Sequence, residues 1–183
     1  AAWCQRAEND IALAPTGGMD QAASLRSRAG HALALDCSDG SVEHVPFDLK
    51  SSGQVLLVID TRAEHALSDG QYAARRADCE QACRELSLPS LRALPISGLG
   101  IAEATLSTPV LAKRVRHVVT EIDRVRRAKR ALATDDLATL GSLFNASHDS
   151  LRDDFEVSCA ELDLAQETAL LHGALGARMT GGG

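Results

Sequence analysis

The 183 residues are 45 % apolar and 24 % charged with mean hydropathy near zero, enough chain for one ordinary domain or parts of two, with a real core. No run of about eighteen apolar residues occurs, which excludes a membrane-spanning helix, and a net charge of −6 argues against binding nucleic acid by neutralising phosphates. The five cysteines (4, 37, 79, 83, 159) include no Cys-x-x-Cys pair, so neither a zinc site nor a disulfide framework is expected, and a reducing cytoplasm fits them best.

The opening residues, Ala1-Ala2-Trp3-Cys4-Gln5-Arg6, lack the basic-then-apolar pattern of a signal peptide. The chain starts without Met and ends in three Gly, so both ends read as cut. Sixteen Arg against three Lys, with thirty Ala, point to a GC-rich genome more than to a function. Ala7 to Leu13 reads as the end of a helix stopped by Ala14-Pro15-Thr16-Gly17-Gly18, and a second helix is predicted from Met19 to about Arg28, with Ala22, Ala23 and Leu25 on its apolar face and Gly30 closing it. Three strands are expected next: Ala32 to Asp36, Val42 to Phe47, and Val55-Leu56-Leu57-Val58-Ile59, whose continuous aliphatic run implies burial on both faces. Asp39-Gly40 and Ser52-Gly53 supply the turns.

The pattern then becomes helical. Ser68-Asp69-Gly70 can cap a helix from Gln71 to Leu86, and the Pro- and Gly-broken stretch from Leu88 to Thr108 reads as loop with one short helix. The longest helix begins near Val110, its apolar stripe Leu111, Val115, Val118, Val119, Ile122 and Val125. Its other side, including Arg114 and Arg116, is expected to be a solvated basic face. Asp135-Asp136 caps a helix to Asn145, and further helices are expected over Ser147 to Phe155 and Glu161 to Leu171. Gly173 to Gly183 holds five Gly and reads as loop. The fold class is α+β, a two-layer α/β arrangement with a boundary between residues 50 and 62.

Three segments could carry chemistry. In Pro15-Thr16-Gly17-Gly18-Met19-Asp20-Gln21 the glycines permit close backbone approach to a ligand, and Asp20 falls in the first turn of a helix, whose positive end favours a carboxylate. It is either a general base or hydroxyl-positioning group, or a helix-start residue beside a plain turn. Gly181-Gly182-Gly183 is either an anion nest or a flexible tail, and it fits neither the Walker nor the dinucleotide glycine pattern. Ser147-His148-Asp149 invites a hydrolase reading, but nearness in sequence does not make a triad, and a capped acidic helix end explains the segment. His148 with Asp153 and Asp154 lacks a second His at ligand spacing for a metal. Cys79 and Cys83, one turn apart, read as packing residues, and Tyr72, the only Tyr, either covers a ligand or packs at a helix start.

In this order and spacing, the segments resemble galactokinases of the GHMP small-molecule kinase family, and look most like those of actinobacteria. The blocks are Pro15-Thr16-Gly17-Gly18-Met19-Asp20-Gln21, His31-Ala32-Leu33-Ala34-Leu35-Asp36-Cys37, Tyr72-Ala73-Ala74-Arg75-Arg76, Arg114-Val115-Arg116-His117-Val118-Val119-Thr120-Glu121, Ser147-His148-Asp149-Ser150-Leu151-Arg152-Asp153-Asp154 and Gly176-Ala177-Arg178-Met179-Thr180-Gly181-Gly182-Gly183. The resemblance implies the GHMP kinase fold, with residues 1–52 as the end of the N-terminal domain and 53–183 as most of a ferredoxin-like C-terminal domain with helical additions. It implies transfer of the γ-phosphoryl group of ATP, as its Mg2+ complex, to the C1 hydroxyl of α-D-galactose by a cytoplasmic enzyme that is a monomer when full length. Asp20 would then be the catalytic carboxylate, Gly17 and Tyr72 would contact the sugar, and Gly181, Gly182 and Gly183 would line the active site, with no protein-held metal.

The family's sugar-binding first motif and its Pro-x-x-x-Gly-x-x-Ser-Ser phosphate loop do not occur in the chain, so the resemblance implies about half a galactokinase, inactive by itself. Gly18 stands where Ile or Leu is usual, Gln71 where Glu is common, and Glu64 where relatives often carry Arg or Lys. Other readings are a GHMP kinase for a related sugar such as galactosamine or arabinose, a non-catalytic galactokinase-like sugar sensor, and an inactive truncated product. The presence of Asp20 argues against the sensor.

Overall fold

A computed structural model describes residues 2–11, 18–63 and 71–181. The chain divides into two compact units, Ala1–Leu57 with Leu132–Thr134, and Val58–Ala131 with Asp135–Gly183.

In the first unit, α1 (Ala2–Arg6) continues as a π-helical turn (Ala7–Ile11), in keeping with the helix expected at this end. Leu13 and the Pro15-Thr16-Gly17 stop signal lie outside the described residues. Gly18 then takes φ 79°, a left-handed conformation open to glycine at little cost, and its carbonyl accepts the Ala22 N–H at 3.0 Å. So begins α2 (Met19–Arg26). Its expected apolar face is not the buried one: Ala22 is buried, but Ala23 and Leu25 are exposed and Gln21 takes the second buried position. At about 100° per residue, positions 22, 23 and 25 spread over nearly half the helix circumference, too wide for one contact face.

The hairpin forms as expected. β1 (His31–Leu35) pairs antiparallel with β2 (Val42–Pro46), His31 opposite Pro46 and Leu35 opposite Val42. The Asp36 carboxylate accepts the Ser38 N–H (2.9 Å) and hydroxyl (2.6 Å), and Gly40, at φ 72°, completes the reversal. The end of α2 is tied to the hairpin, since Arg26 Nη1 donates to the Gly40 carbonyl at 2.7 Å and His44 Nε2 lies 2.7 Å from the Arg26 carbonyl.

The third expected strand does not form. Residues 54–60 have no regular secondary structure, and 55–59 are exposed, Val55 to 87 %. An apolar run suits a strand for burial, but a strand exists only when a neighbour completes its ladder. Among the described residues β1 and β2 pair only with each other.

The second unit is helical among the described residues: α3 (Gln71–Glu85), α4 (Leu99–Thr105), α5 (Pro109–Ala133, its last two residues assigned to the first unit), α6 (Leu137–Asp153) and α7 (Ala160–Leu171). The capping signal Ser68-Asp69-Gly70 lies outside the described residues. The stretch read as loop is better ordered than expected, with 3-10 turns at Leu91–Ala93 and Ile96–Gly98 leading into α4. Its apolar residues explain why: Leu91 and Ala102 are buried with Ala82, Leu111, Val115 and Val119 in one core. The stripe of α5 is buried at Leu111, Val115 and Val119 and ends at Val125, which is exposed. Asp136 caps α6 as expected, its carboxylate accepting the Thr139 N–H at 3.0 Å. The two helices expected on either side of Ala146 are one, because no Gly or Pro interrupts the chain there and Asn and Ser cost a helix only a few tenths of a kcal/mol (about 0.5).

Candidate active site

Asp20 is the second residue of α2, exposed, in the first turn where backbone N–H groups lack intrahelical partners and favour an anion. Gly17 lies outside the described residues. Beside Asp20, Gln21 is buried and neither atom of its amide has a hydrogen-bond partner among the described residues. Such a group costs about 1–3 kcal/mol, and the sequence reading passed over it. Tyr72 is the second residue of α3, and its ring lies outside the described residues. One turn further, Arg75 fixes the start of α3, donating through Nε to the Phe155 carbonyl at 2.6 Å and through Nη2 to the Glu156 carbonyl at 3.3 Å. Gly181 is exposed at φ 76°, while Gly182 and Gly183 lie outside the described residues. Asp20 belongs to the first unit, Tyr72 and Gly181 to the second.

The segment leading to Gly181 is laid along α6. Gly141 and Gly176 meet backbone to backbone: a Cβ on Gly141 would fall well inside contact distance of the Leu175 carbonyl, and one on Gly176 would strike the backbone of Gly141. One turn along, Asn145 Oδ1 accepts the Ala177 N–H at 2.9 Å. Another turn along, Nδ1 of the fully buried His148 accepts the Met179 N–H at 3.1 Å, and the Met179 side chain is buried. Positions 141, 145 and 148 share one helix face, and the extended segment offers it the amides of alternate residues, 177 and 179. Arg178 Nε donates to the Met179 carbonyl at 2.8 Å, and its Nη1 lies 3.9 Å from Glu121 Oε2. Glu121 also accepts from Ser147 Oγ at 2.7 Å and Arg124 Nη1 at 2.6 Å.

Gly141→Ala tests this seat. Alanine is the better helix former by about 1 kcal/mol, yet its methyl displaces the backbone at 175–176. Displacement forfeits two hydrogen bonds and the burial of Met179, together about 3–4 kcal/mol. The expected net loss is about 2–3 kcal/mol, read as a lower urea midpoint and faster amide exchange at Ala177 and Met179. An unchanged midpoint and unchanged exchange would show that the segment does not sit there.

Ser147, His148 and Asp149 do not form a triad. Ser147 is engaged by Glu121, and Asp149 lies 3.3 Å from Arg152 at the surface. Both ring nitrogens of His148 are occupied: Nδ1 by Met179, and Nε2, at 3.1 Å, by Asp163 Oδ1, which also accepts from Ser158 Oγ at 2.6 Å. The hydrolase reading therefore has no base. Asp153 is held by Arg152 at 2.8 and 2.9 Å, and Asp154 by Arg116 at 3.1 Å and Ser150 Oγ at 3.0 Å. Among the described residues no group of three His, Cys, Asp or Glu could hold a metal ion.

The basic face of α5 is not uniformly solvated, because Arg114 is only 2 % exposed. Its guanidinium donates to Asp78 Oδ2 (3.1 Å), to the Asp154 carbonyl and to Glu156 Oε2 (2.7 Å). Helical periodicity placed Arg114 beside Val115 at the edge of the apolar stripe but could not reveal acceptors 36 to 42 residues away. One turn of α5 further, His117 is buried, stacked on Phe155 with ring centroids 4.3 Å apart, and its Nδ1 lies 3.0 Å from Ser150 Oγ. Since that hydroxyl donates to Asp154 Oδ2, Nδ1 carries the hydrogen.

Burial pushes the His117 pKa down to about 4, against the attraction of Glu121 and Asp154 and with the help of Arg124 and Arg178. The unfolded chain takes up this proton near its ordinary value of 6.5 and the folded chain only near 4. Stability from this group is thus fully present above 6.5 and is lost as pH falls towards 4, by up to about 1.4 kcal/mol per pH unit. His117→Asn keeps a donor for Ser150 but cannot be protonated. The expected result is a flatter stability–pH curve in this window, measured by urea unfolding; an unchanged slope would refute the assignment.

Cys79 and Cys83 pack against the core as expected, and burial pushes the Cys79 thiol up to about 11, so it is no nucleophile at neutral pH. A groove of about 690 Å3 beside them, lined among others by Arg76, Arg84 and Ile122, shares no residue with Asp20, Tyr72 or Gly181.

Comparison with known proteins decides what this scaffold is. Residues 128–183 match the family described as GHMP kinases C terminal, and the chain is 50 % identical over 184 aligned residues to a galactokinase of Streptomyces coelicolor, covering 100 % of this chain and 48 % of that protein. The similarity is to the GHMP kinases. A Mycobacterium tuberculosis galactokinase is 46 % identical over 183 residues (100 % of this chain, 50 % of that protein), and a Bos taurus galactokinase is 42 % identical over 181 (98 % and 45 %). The chain spans about half the length of these curated relatives. The crystal structure of Lactococcus lactis galactokinase complexed with galactose superimposes with a TM-score of 0.86 at 34 % identity, over 98 % of this chain and 47 % of that one. The fold is thus the mixed α/β GHMP kinase fold, and the family-matched residues comprise α6, α7 and the segment carrying Gly181.

Proposed function

We propose that the protein carrying this chain is a galactokinase, transferring the γ-phosphoryl group of MgATP to the C1 hydroxyl of α-D-galactose and releasing galactose 1-phosphate and ADP. The observation that carries this reading is identity of 42–50 % to curated galactokinases along 98–100 % of the chain. Asp20 is the residue proposed to take or polarise the C1 hydroxyl proton, Gly17 and Tyr72 to contact the sugar, and Gly181 to Gly183 to line the site. Because phosphoryl transfer is governed by positioning and charge stabilisation, backbone turns such as Gly18 and Gly181 matter as much as side chains. Mg2+ enters with the nucleotide as part of the substrate. Residues 1–52 are assigned to the end of the N-terminal domain and 53–183 to the C-terminal domain, a division supported by the break between compact units at Leu57 and Val58. The reading includes a cytoplasmic monomer; its five free cysteines support a reducing compartment, and no helix among the described residues is long and apolar enough to cross a membrane.

The test is galactose-dependent ADP release by the complete protein, alongside galactosamine and arabinose. Turnover with galactose at the highest kcat/KM is expected, and a preference for another sugar would replace galactose as the substrate. The 183-residue chain alone is expected to release no ADP, having no Pro-x-x-x-Gly-x-x-Ser-Ser loop to hold the phosphates.

A further inference from the structure

We infer that His148 is a positioning residue for the glycine segment, fixing through the Met179 amide where Gly181 lies. The inference rests on the galactokinase reading for its consequence in turnover, though not for its geometry. Three features converge. The acceptor on α6 is an imidazole nitrogen with no water access, so the Met179 N–H has one partner and one position. The ring cannot turn over without loss, since Asp163 holds Nε2 at 3.1 Å and is itself held by Ser158 at 2.6 Å. With the hydrogen on Nε2, Nδ1 must be the acceptor. Finally, Gly141 and Asn145 set the same segment at two earlier points, so His148 is the third point at which α6 fixes it, two residues before Gly181.

A leucine could fill the same space but supplies no acceptor, so packing and positioning are separated by kcat and by exchange at Gly181. Positioning needs the nitrogen. In His148→Leu the Met179 N–H is left buried without a partner, and the segment shifts or frays to reach water. An error of about 1 Å in a site of this kind lowers turnover as much as about 100-fold. His148→Asn places an amide oxygen close to where Nδ1 stood and restores the acceptor while giving up the bond to Asp163.

The experiment uses the complete protein and its wild type, His148→Leu, His148→Asn and Asp163→Asn variants, with kcat and KM measured separately for galactose and MgATP and amide exchange followed at Met179 and Gly181. His148→Leu is expected to lose about 10–100-fold in kcat with both KM values within about threefold, and to exchange Met179 and Gly181 at least about tenfold faster. His148→Asn is expected to recover most of both, and Asp163→Asn to fall between. A His148→Leu protein that is folded, turns over within twofold of wild type and keeps slow exchange overturns the assignment. Equal losses in the leucine and asparagine variants overturn it too, since the acceptor would then not be what matters. If the wild type phosphorylates no sugar, the galactokinase reading fails, and the exchange rates alone decide the positioning.

Discussion

Asp20→Asn is expected to lower turnover of the complete enzyme by about 10²–10⁴-fold at saturating galactose and MgATP, with little change in the affinity for galactose. The size of the loss separates two roles proposed for this carboxylate. Asparagine keeps an oxygen that accepts a hydrogen bond from the C1 hydroxyl, so a residue that only orients that hydroxyl would lose less than about tenfold. It cannot take up a proton, so a general base loses the full factor. The setting of Asp20 suits either role: Gly18 turns the chain sharply into α2, and the free amides of the first turn face an anion. Coupled ADP-release kinetics give the answer. Wild-type turnover in the asparagine variant would remove Asp20 from the chemistry and direct attention to its buried neighbour Gln21, whose amide atoms have no partner among the described residues.

What the sequence makes legible here is local. The hairpin of β1 and β2 follows from alternation around Asp39-Gly40, the start and buried stripe of α5 from apolar residues at spacings of three and four, and the start of α6 from Asp136. Asp20 stands out because two glycines before a helix start are a local signal, and Gly181 to Gly183 because consecutive glycines can form an anion nest. Whatever depends on a distant partner was not readable. The run at 55–59 has the composition of a buried strand and stands exposed, since nothing in a segment's own residues states whether a neighbouring strand will pair with it. Arg114 has the composition of a solvated face and is buried, because Asp78 and Glu156 come to it from α3 and from the turn after α6.

Gly141 is an intermediate case. A glycine among Leu137, Leu140, Leu143 and Phe144 weakens the helix by about 1 kcal/mol and so announces a close contact, though not with what. The contact is Gly176, 35 positions on, and together with Asn145 and His148 it turns a segment that reads as a tail into one with fixed points. His148 was legible as chemistry of the wrong kind. Beside Ser147 and Asp149 it suggests a nucleophile's base, whereas its partners are a backbone amide and Asp163.

The Arg114 network provides the largest stability effect, and its size depends on which partner is removed. Asp78→Ala with Glu156→Ala leaves a guanidinium that is 2 % exposed with only the Asp154 carbonyl to receive it, and an uncompensated buried charge costs about 3–5 kcal/mol. Arg114→Met removes the same ion pairs but leaves two carboxylates that water already reaches, with side chains 29 % and 45 % exposed. Their rehydration offsets part of the loss, and methionine fills much of the vacated volume, so about 1–3 kcal/mol is expected. Urea unfolding of both variants measures the difference, and an Arg114→Met protein less stable than the double-alanine protein would contradict it. Acid provides an independent check. The hydrogen bond from Arg114 holds the Glu156 carboxyl below its ordinary value of 4.5, with Lys113 adding to the effect. A group whose pKa is lowered by folding contributes stability above its unfolded value and loses it as pH falls through the folded one. In Arg114→Met that acid-side loss should shrink, leaving the curve below pH 4.5 flatter than in the wild type. The same network holds Arg75, and through it the first turn of α3, against the turn after α6, where Glu156 sits at φ 57°. That left-handed conformation costs a residue other than glycine about 1–2 kcal/mol, and it is maintained here because Lys113 and Arg114 hold the carboxylate while Arg75 holds the carbonyl. Tyr72 lies one turn before Arg75. Loosening Arg114 is therefore expected to raise amide exchange at the start of α3 as well as in the core, joining the stability of the unit to the placement of its proposed sugar contact.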